Sequence, residues 1–522
     1  MKLCRRQLLP LFLPSASPFI LAMTDPQTPA APTAAPTAQY RPAYHFTPAA
    51  NWMNDPNGLV FHQGVYHLFF QYHPGSSVWG PMHWGHATST DLLRWQQQPI
   101  ALYPDRLGMI FSGSAVVDSG NRAGLGPAGS TPLVAMFTHH DAVAGHAGSR
   151  THQSQSLAFS LDNGLRWTHY AGNPVIANPG RLDFRDPKLR WLPASQRWIA
   201  SLACGDRLCF YSSTDLKAWT LESEFGAGLG AHGGVWECPD LFPLPGPSGR
   251  NHWVLLVSIT PGGPNGGSAT QYFIGQFDGH RFVPDDTRVR WLDAGPDNYA
   301  GVTWSGVDDR ALFIGWMSNW QYANAAPTAP WRSAMTMPRE LALEQASNGL
   351  RLASRPAREM LALQQPATLD RNQVVLQADA PLDVSAALAG TSGRFVLRLA
   401  TAALRGFSLT LGNQAGDHLR MGFDAAAGHW WIDRQGSGLV DFHPSFASGR
   451  HQVERWRSDA AAELELWFDA TSVELFADSG LSVMTALYFP HQPWSRLTLA
   501  ALDGLNGLTL THLKVQPLRD PR

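Results

Sequence analysis

Three segments of the chain each place an acid one or two residues ahead of a proline that opens an apolar run: Asn54-Asp55-Pro56-Asn57-Gly58-Leu59-Val60, Arg185-Asp186-Pro187-Lys188-Leu189-Arg190 and Glu237-Cys238-Pro239-Asp240-Leu241-Phe242. One such acid alone reads as an Asp-Pro turn, a tight entry into a strand. Three at equivalent places read as a set. Carboxylates gathered on one axis repel, so one can stay ionised while a neighbour keeps its proton near neutral pH, the division of labour that acid–base and nucleophilic chemistry requires. Hard cations also take carboxylate oxygens, but no carbonyl-bearing loop of the Ca²⁺-binding kind accompanies these acids, and no metal or cofactor is expected.

The chain between the acids indicates how they are brought together. Apolar runs of strand length recur between Gly, Pro, Asn and Asp turns at 65–72, 133–138, 198–203, 253–259 and 311–316. No stretch here sustains a helical period over three turns, so this half reads as nearly all β. A second signature repeats as Ser89-Thr90-Asp91-Leu92-Leu93-Arg94-Trp95, Ser160-Leu161-Asp162-Asn163-Gly164-Leu165-Arg166-Trp167 and Ser213-Thr214-Asp215-Leu216-Lys217-Ala218-Trp219, with a weaker echo at Phe277-Asp278-Gly279-His280-Arg281-Phe282. Steps of 71, 53 and 63 residues between these aspartates suit four-stranded units and point to a β-propeller. A further strand set around 300–338 makes five blades. Radial repetition puts the first strand of each blade on the central channel, so Asp55, Asp186 and Glu237 converge at one end of it. The tryptophans Trp95, Trp167 and Trp219 are assigned to blade packing.

Composition bounds the rest. At 522 residues the chain is too long for one ordinary core. A hydrophobic fraction of 44% with 20 Trp excludes disorder as the main state, and 15% charged residues with 48 Gly and 39 Pro suit a turn-rich β protein. A net charge of −2 offers no basic face, so no nucleic-acid partner is expected. Lys2, Arg5 and Arg6 precede an uncharged stretch from Leu8 to Met23, too short and too rich in proline to span a bilayer. Residues 1–23 therefore read as an export signal, with Arg5-Arg6 also fitting a twin-arginine route. The mature protein is expected to be secreted or periplasmic, without a membrane anchor. Residues 24–40 read as a Pro/Ala/Thr-rich spacer. Cys4 lies in the signal, Cys204 and Cys209 flank a hairpin loop and either pair or stay as buried thiols, and Cys238 reads as a packing residue. His83, His86, His139 and His140 read as core or loop histidines.

Taken in order, Trp52-Met53-Asn54-Asp55-Pro56-Asn57-Gly58, Phe111-Ser112-Gly113-Ser114, Phe184-Arg185-Asp186-Pro187 and Trp236-Glu237-Cys238-Pro239-Asp240 resemble the signature blocks of glycoside hydrolase family 32, the group of invertases, inulinases and levanases. Asp297-Asn298-Tyr299-Ala300, Ile314-Gly315-Trp316-Met317-Ser318-Asn319-Trp320 and Met337-Pro338-Arg339-Glu340-Leu341 continue the match, with Asn298 where members often carry Phe. The resemblance spans 45–518 and is nearest to exo-acting microbial levanases and exo-inulinases.

That resemblance implies an all-β protein: a five-bladed β-propeller over 41–345, a connector over 346–365 that holds a short helix, and a β-sandwich over 366–522. It implies a retaining exo-β-fructosidase acting on fructan (levan or inulin) and on sucrose, with Asp55 as nucleophile, Glu237 as general acid/base and Asp186, beside Arg185 and ionised, as transition-state stabiliser. It places Asn54, Gln71, Trp79, Phe111, Ser112, Arg185 and Trp316 around the fructose. A fructosyltransferase on the same fold needs the same three acids, and a non-catalytic fructan-binding propeller needs one of them lost. A monomer is expected. In the C-terminal part, runs at 395–399, 407–411, 429–432, 464–468 and 473–476 read as sandwich strands, and Glu463, Glu465 and Glu474, alternating with apolar residues, read as a solvated strand face.

Overall fold

A computed structural model describes residues 38–502 and 507–522. The expected export signal, Cys4 and nearly all of the spacer lie outside the described residues. Among the described residues the N-terminal part forms five sheets, whose first strands are Asn51–His62, Met109–Val117, Arg185–Leu192, Val235–Pro245 and Tyr299–Thr303. Each of these strands touches the next in chain order, and the fifth touches the first, which closes a ring. The closure is reinforced by the short strand Trp331–Arg332, which follows the second strand of the fifth sheet and pairs in parallel with Asn51 and Trp52 of the first. This is the radial arrangement expected of a propeller, with the first strands innermost.

The apolar runs are the second strands of the sheets: Val65–His73, Leu133–His140, Arg197–Ala203, Asn251–Thr260 and Ala311–Met317. They are buried on both faces, which is why they read as continuous apolar runs. The repeated aspartates join third to fourth strands. Asp91 Oδ1 accepts from the amides of Leu93 at 3.0 Å and Arg94 at 2.8 Å, and Asp215 Oδ1 from those of Lys217 at 2.9 Å and Ala218 at 2.8 Å. Each tryptophan then donates its indole N–H back to the turn: Trp95 to Leu92 O at 3.1 Å, Trp167 to Gly164 O at 3.0 Å and Trp219 to Leu216 O at 2.7 Å. An Asx turn and an anchoring aromatic thus fix each outer hairpin. Cys204 and Cys209 form a disulfide across the hairpin loop they flank.

The C-terminal part packs two six-stranded antiparallel sheets face to face over one apolar core that includes Leu397, Leu409, Trp430 and Leu466. Two readings of the sequence are corrected here. Residues 346–365 are not merely a connector: Gly349–Pro356 is the outer strand of the fifth sheet, paired with Arg339–Ala346, and only then comes the 3-10 helix Arg358–Leu363. Glu474 is not on a solvated face. It is fully buried against the propeller, where Arg339 Nε donates to Oε2 at 2.9 Å, Met337 N to Oε1 at 2.8 Å, and His45 Nε2 lies 2.8 Å from Oε1. At this position the side that reads as water-facing is the one on which the sandwich meets the propeller. Glu463 is exposed, and Glu465 is half-buried and pairs with Arg398 at 2.6 Å.

Candidate active site

All five innermost strands carry one extra residue near their start. Pairing with the second strand slips between Met53 and Pro56, between Phe111 and Gly113, between Arg185 and Lys188, between Glu237 and Asp240, and between Tyr299 and Val302. Such a bulge leaves a residue out of the ladder and re-aims its side chain. Asp55, Ser112, Asp186, Cys238 and Ala300 sit inside these slips, and Asp186, Cys238 and Ala300 have left-handed φ values of 62°, 46° and 54°. Strained backbone of this kind persists where the surrounding structure over-determines it, typically at sites of chemistry. The slips also account for the prolines after the acids. Pro56, Pro187 and Pro239 lie in or at the edge of a bulge, where the missing N–H costs no ladder bond.

The bulges deliver Asp55, Asp186 and Glu237 to one depression of about 370 Å³, lined also by Asn54, Gln71, Trp79, Phe111, Ser112, Arg185 and Trp320. Asp55 accepts from Asn54 Nδ2 at 3.0 Å and from Ser112 Oγ at 2.8 Å. Asn54 is itself fixed by the indole N–H of Trp52 at 2.8 Å. Arg185 grips Glu237 Oε1 with Nε at 3.1 Å and Nη2 at 2.9 Å, and its Nη1 donates to Asp183. The Tyr299 hydroxyl donates to the other oxygen of Glu237. Cys238 joins the remaining two acids: its amide donates to Asp186 Oδ2 at 3.1 Å, and its sulfur lies 3.6 Å from Asp55 Oδ2 and 3.7 Å from Asp186 Oδ2.

Burial and mutual repulsion set the charges. Desolvation, then Glu237, raises the Asp55 carboxyl above its ordinary range, against the hydrogen bonds from Asn54 and Ser112. Asp186 is pushed up to about 7, because burial and the two neighbouring acids outweigh Arg185, whose Nε lies 3.9 Å away. Arg185 favours the ionised form of Asp186, while burial and the two neighbouring acids oppose it. Arg185, although desolvated, is held above its ordinary value by Glu237, Asp186 and Asp183 and stays a cation. Burial pushes the Cys238 thiol and the Tyr299 hydroxyl well above their usual values, the nearby acids adding to this, so both remain neutral donors. Cys238 is therefore no nucleophile.

Nine of the ten residues singled out in the sequence line this depression; Trp316 does not. It is fully buried, donates its indole N–H to Met53 O at 3.1 Å and packs behind Trp320, their rings 4.9 Å apart. Trp320 takes the wall position, four residues along the same block. Trp79 is 40% exposed and meets Phe111 edge to face at 6.4 Å. Gln71 is buried with its Nε2 lacking any protein partner. Sequence reasoning set His140 aside, yet it lines the depression, stacked on Phe111 at 4.2 Å, with burial lowering its pKa to about 4. It is a neutral ring in a wall. Tyr299 was within a quoted block without being singled out. Asn298 points away, donating to Asp293 at 3.2 Å.

Comparison with known proteins gives a consistent result. Residues 45–356 match the glycosyl hydrolases family 32 N-terminal domain and residues 354–517 the glycosyl hydrolases family 32 C terminal. A levanase of Bacillus subtilis (strain 168) is 44% identical over 494 residues, covering 92% of this chain and 70% of its own. An extracellular exo-inulinase of Aspergillus awamori is 40% identical over 501 residues, covering 89% of this chain and 92% of its own. The crystal structure of exo-inulinase from Aspergillus awamori superposes with a TM-score of 0.84 at 37% identity, covering 92% of this chain and 98% of that one. The structure of fructofuranosidase from Schwanniomyces occidentalis complexed with fructose gives a TM-score of 0.82 at 31% identity, covering 93% of this chain and 99% of that one.

Proposed function

The chain belongs to glycosyl hydrolase family 32, and we propose that its three-acid pocket removes terminal fructose from fructans, and splits sucrose, through a covalent fructosyl-enzyme intermediate. It is a glycoside hydrolase of the β-fructosidase type. The observation that carries the assignment of roles is that Asp55, Asp186 and Glu237 share one pocket, tied to one another through Arg185 and Cys238.

In this reading Glu237 gives its proton to the departing glycosidic oxygen while Asp55 attacks the anomeric carbon. Water then gives a proton to Glu237 and its oxygen to the same carbon, and Asp55 leaves as carboxylate. Arg185 and Tyr299, each on one oxygen of Glu237, hold that carboxyl in place through both half-reactions. Asp186 is suited to a cationic transition state because positive charge on the ring favours its ionised form, so the interaction strengthens at the top of the barrier. The unpartnered Gln71 amide supplies a donor for a sugar oxygen, and Trp79, Phe111 and Trp320 cover the C–H faces of the sugar.

Exo attack is supported by the modest size of the pocket and by the relatives named exo-inulinase. A protein working outside the cytoplasm is supported by the relatives named extracellular, and we take it to act as a monomer. Among the described residues no helix is long and apolar enough to cross a membrane. Chromatography of early products from levan and inulin tests the reading: free fructose is expected from both. Oligomers as first products overturn exo attack, and fructan growing from concentrated sucrose overturns hydrolysis in favour of transfer.

A further inference from the structure

Asp105, His139 and His169 come from three separate segments: the link between the first and second sheets, the second strand Leu133–His140 of the second sheet, and that sheet's edge strand Thr168–His169. One donor atom of each lies within 4.8 Å of the other two, and no other group of three or more His, Cys, Asp or Glu does so among the described residues. His139 Nε2 stands 3.1 Å from Asp105 Oδ1, and His169 Nδ1 stands 3.0 Å from Asp105 Oδ2. We propose that these three side chains are a binding site for a divalent transition ion of the Zn²⁺ kind, separate from the three-acid pocket and unconnected with the reaction there.

Four observations carry this. The ligand set, two imidazoles and one carboxylate, is what borderline ions such as Zn²⁺ prefer. The two imidazoles face the two oxygens of one carboxylate, at 3.1 and 3.0 Å, and one donor atom from each of the three residues lies within 4.8 Å of the others, a span that one ion bridges with metal–ligand bonds of about 2.0 to 2.1 Å. His139 is 1% exposed, and its Nε2 finds no aligned hydrogen-bond partner even though Asp105 is near. A buried ring nitrogen without a partner is costly unless something else takes its lone pair. Its other nitrogen is already fixed, with Nδ1 2.7 Å from Ser156 Oγ, the outer contact that orients a metal-bound imidazole.

The site also has an entrance. The Asp105 and His169 side chains are 35% and 27% exposed, so an ion can reach all three ligands and keep water at the open position. Arg106, next in the chain, opposes a cation, and the Asp105 carboxylate offsets it. A bound ion fastens the link between two sheets to the strand whose next residue, His140, stacks on the pocket residue Phe111.

The test is direct binding, which reads out independently of fructosidase activity. Full-length protein is stripped with chelator, then titrated calorimetrically with Zn²⁺ alone and, in parallel, with Co²⁺ followed by its visible absorption. One tight equivalent is expected, with a tetrahedral Co²⁺ spectrum and a Zn²⁺-dependent rise in melting temperature. His169→Gln and Asp105→Asn, both at partly exposed positions, are each expected to weaken binding at least ~100-fold, in line with the dependence of such sites on every ligand. Turnover of sucrose by both variants without metal is expected to equal that of the parent. Absence of a tight equivalent in the parent, or unchanged affinity in both variants, overturns the proposal.

Discussion

Arg185 reaches a single oxygen of Glu237 through two of its nitrogens, at 3.1 and 2.9 Å, while the Tyr299 hydroxyl occupies the other oxygen. The carboxyl proposed to carry the proton is thus clamped by a planar cation on one side and a neutral donor on the other. A lysine at 185 retains the charge and loses the two-pronged geometry. Arg185→Lys is expected to lower kcat by ~10²-fold, the cost of small misplacement of a reacting group, with the folded state intact by circular dichroism. An Arg185→Lys enzyme with parental kcat sinks the idea that geometry, and not charge alone, matters here.

Glu237→Gln and Asp55→Asn separate the two roles. Both variants should fold, and Asp55→Asn should show no turnover on any substrate. Glu237→Gln should lose ~10² to 10⁴-fold on sucrose, the usual worth of general acid–base help. Its first step should lose far less on an aryl fructoside whose leaving group needs no proton, measured as burst release of the phenol. Equal losses on both substrates contradict the acid assignment.

Ser112 sets the acid side of the activity profile. Its hydroxyl donates to Asp55 Oδ2 at 2.8 Å and opposes the upward push of burial and Glu237 on that carboxyl. Removing it leaves Asn54 without its help against that push, so in Ser112→Ala the acid limb of kcat/KM should move to higher pH. A pH–rate profile of parent and variant decides this; a limb that stays put or moves down disproves the link.

Trp79 is expected to act on binding more than on chemistry. It is partly exposed at the wall of the depression, where it meets Phe111 edge to face. Trp79→Ala should raise KM for fructan ~10-fold, about the worth of one aromatic contact, with kcat nearly unchanged. Steady-state kinetics that place the loss in kcat assign this tryptophan a different part.

His45 ties stability to alkaline pH. It is fully buried between Asp469 and Glu474, 2.8 Å from each, and they raise its pKa to about 9 against the opposing effect of burial. Because the folded value lies above the unfolded value near 6.5, the contribution is complete below pH 6.5 and disappears as pH rises through about 9. At about 1.4 kcal/mol per unit this is ~3 kcal/mol at most. Melting temperatures of the parent should fall across that window, and His45→Gln, less stable at neutral pH, should show a much flatter profile. Parallel profiles exclude His45 as the cause.

The acids were legible because Asp55, Asp186 and Glu237 hold equivalent places in the sequence repeat, and the outer hairpins were legible because Asp91, Asp162 and Asp215 bond to the backbone of their own turns, a local interaction. What brings the acids into line was not. The bulge in each inner strand is a two-against-one pairing with a neighbour, and the left-handed backbone at Asp186, Cys238 and Ala300 has no compositional mark at residues with side chains. Trp316 and Trp320 lie in one motif, and only tertiary packing decides which ring reaches the pocket. Glu474 shows the same limit. An acid alternating with apolar residues reads as facing water unless its partner is visible, and Arg339 is far away in the sequence.

The boundary between the two halves has a consequence for how such proteins can be rebuilt. Arg339 pairs with Asp293 at 2.9 Å as well as with Glu474, and Arg434 reaches back to Asp297 at 2.6 Å, all five side chains shut off from solvent. A chimera joined near residue 356 between two relatives strands unneutralised charge in a dry interior unless these partners travel together, and a buried ion that loses its mate is severely destabilising. Recombination across the junction therefore has to treat the ionic contacts on both sides as one inherited block.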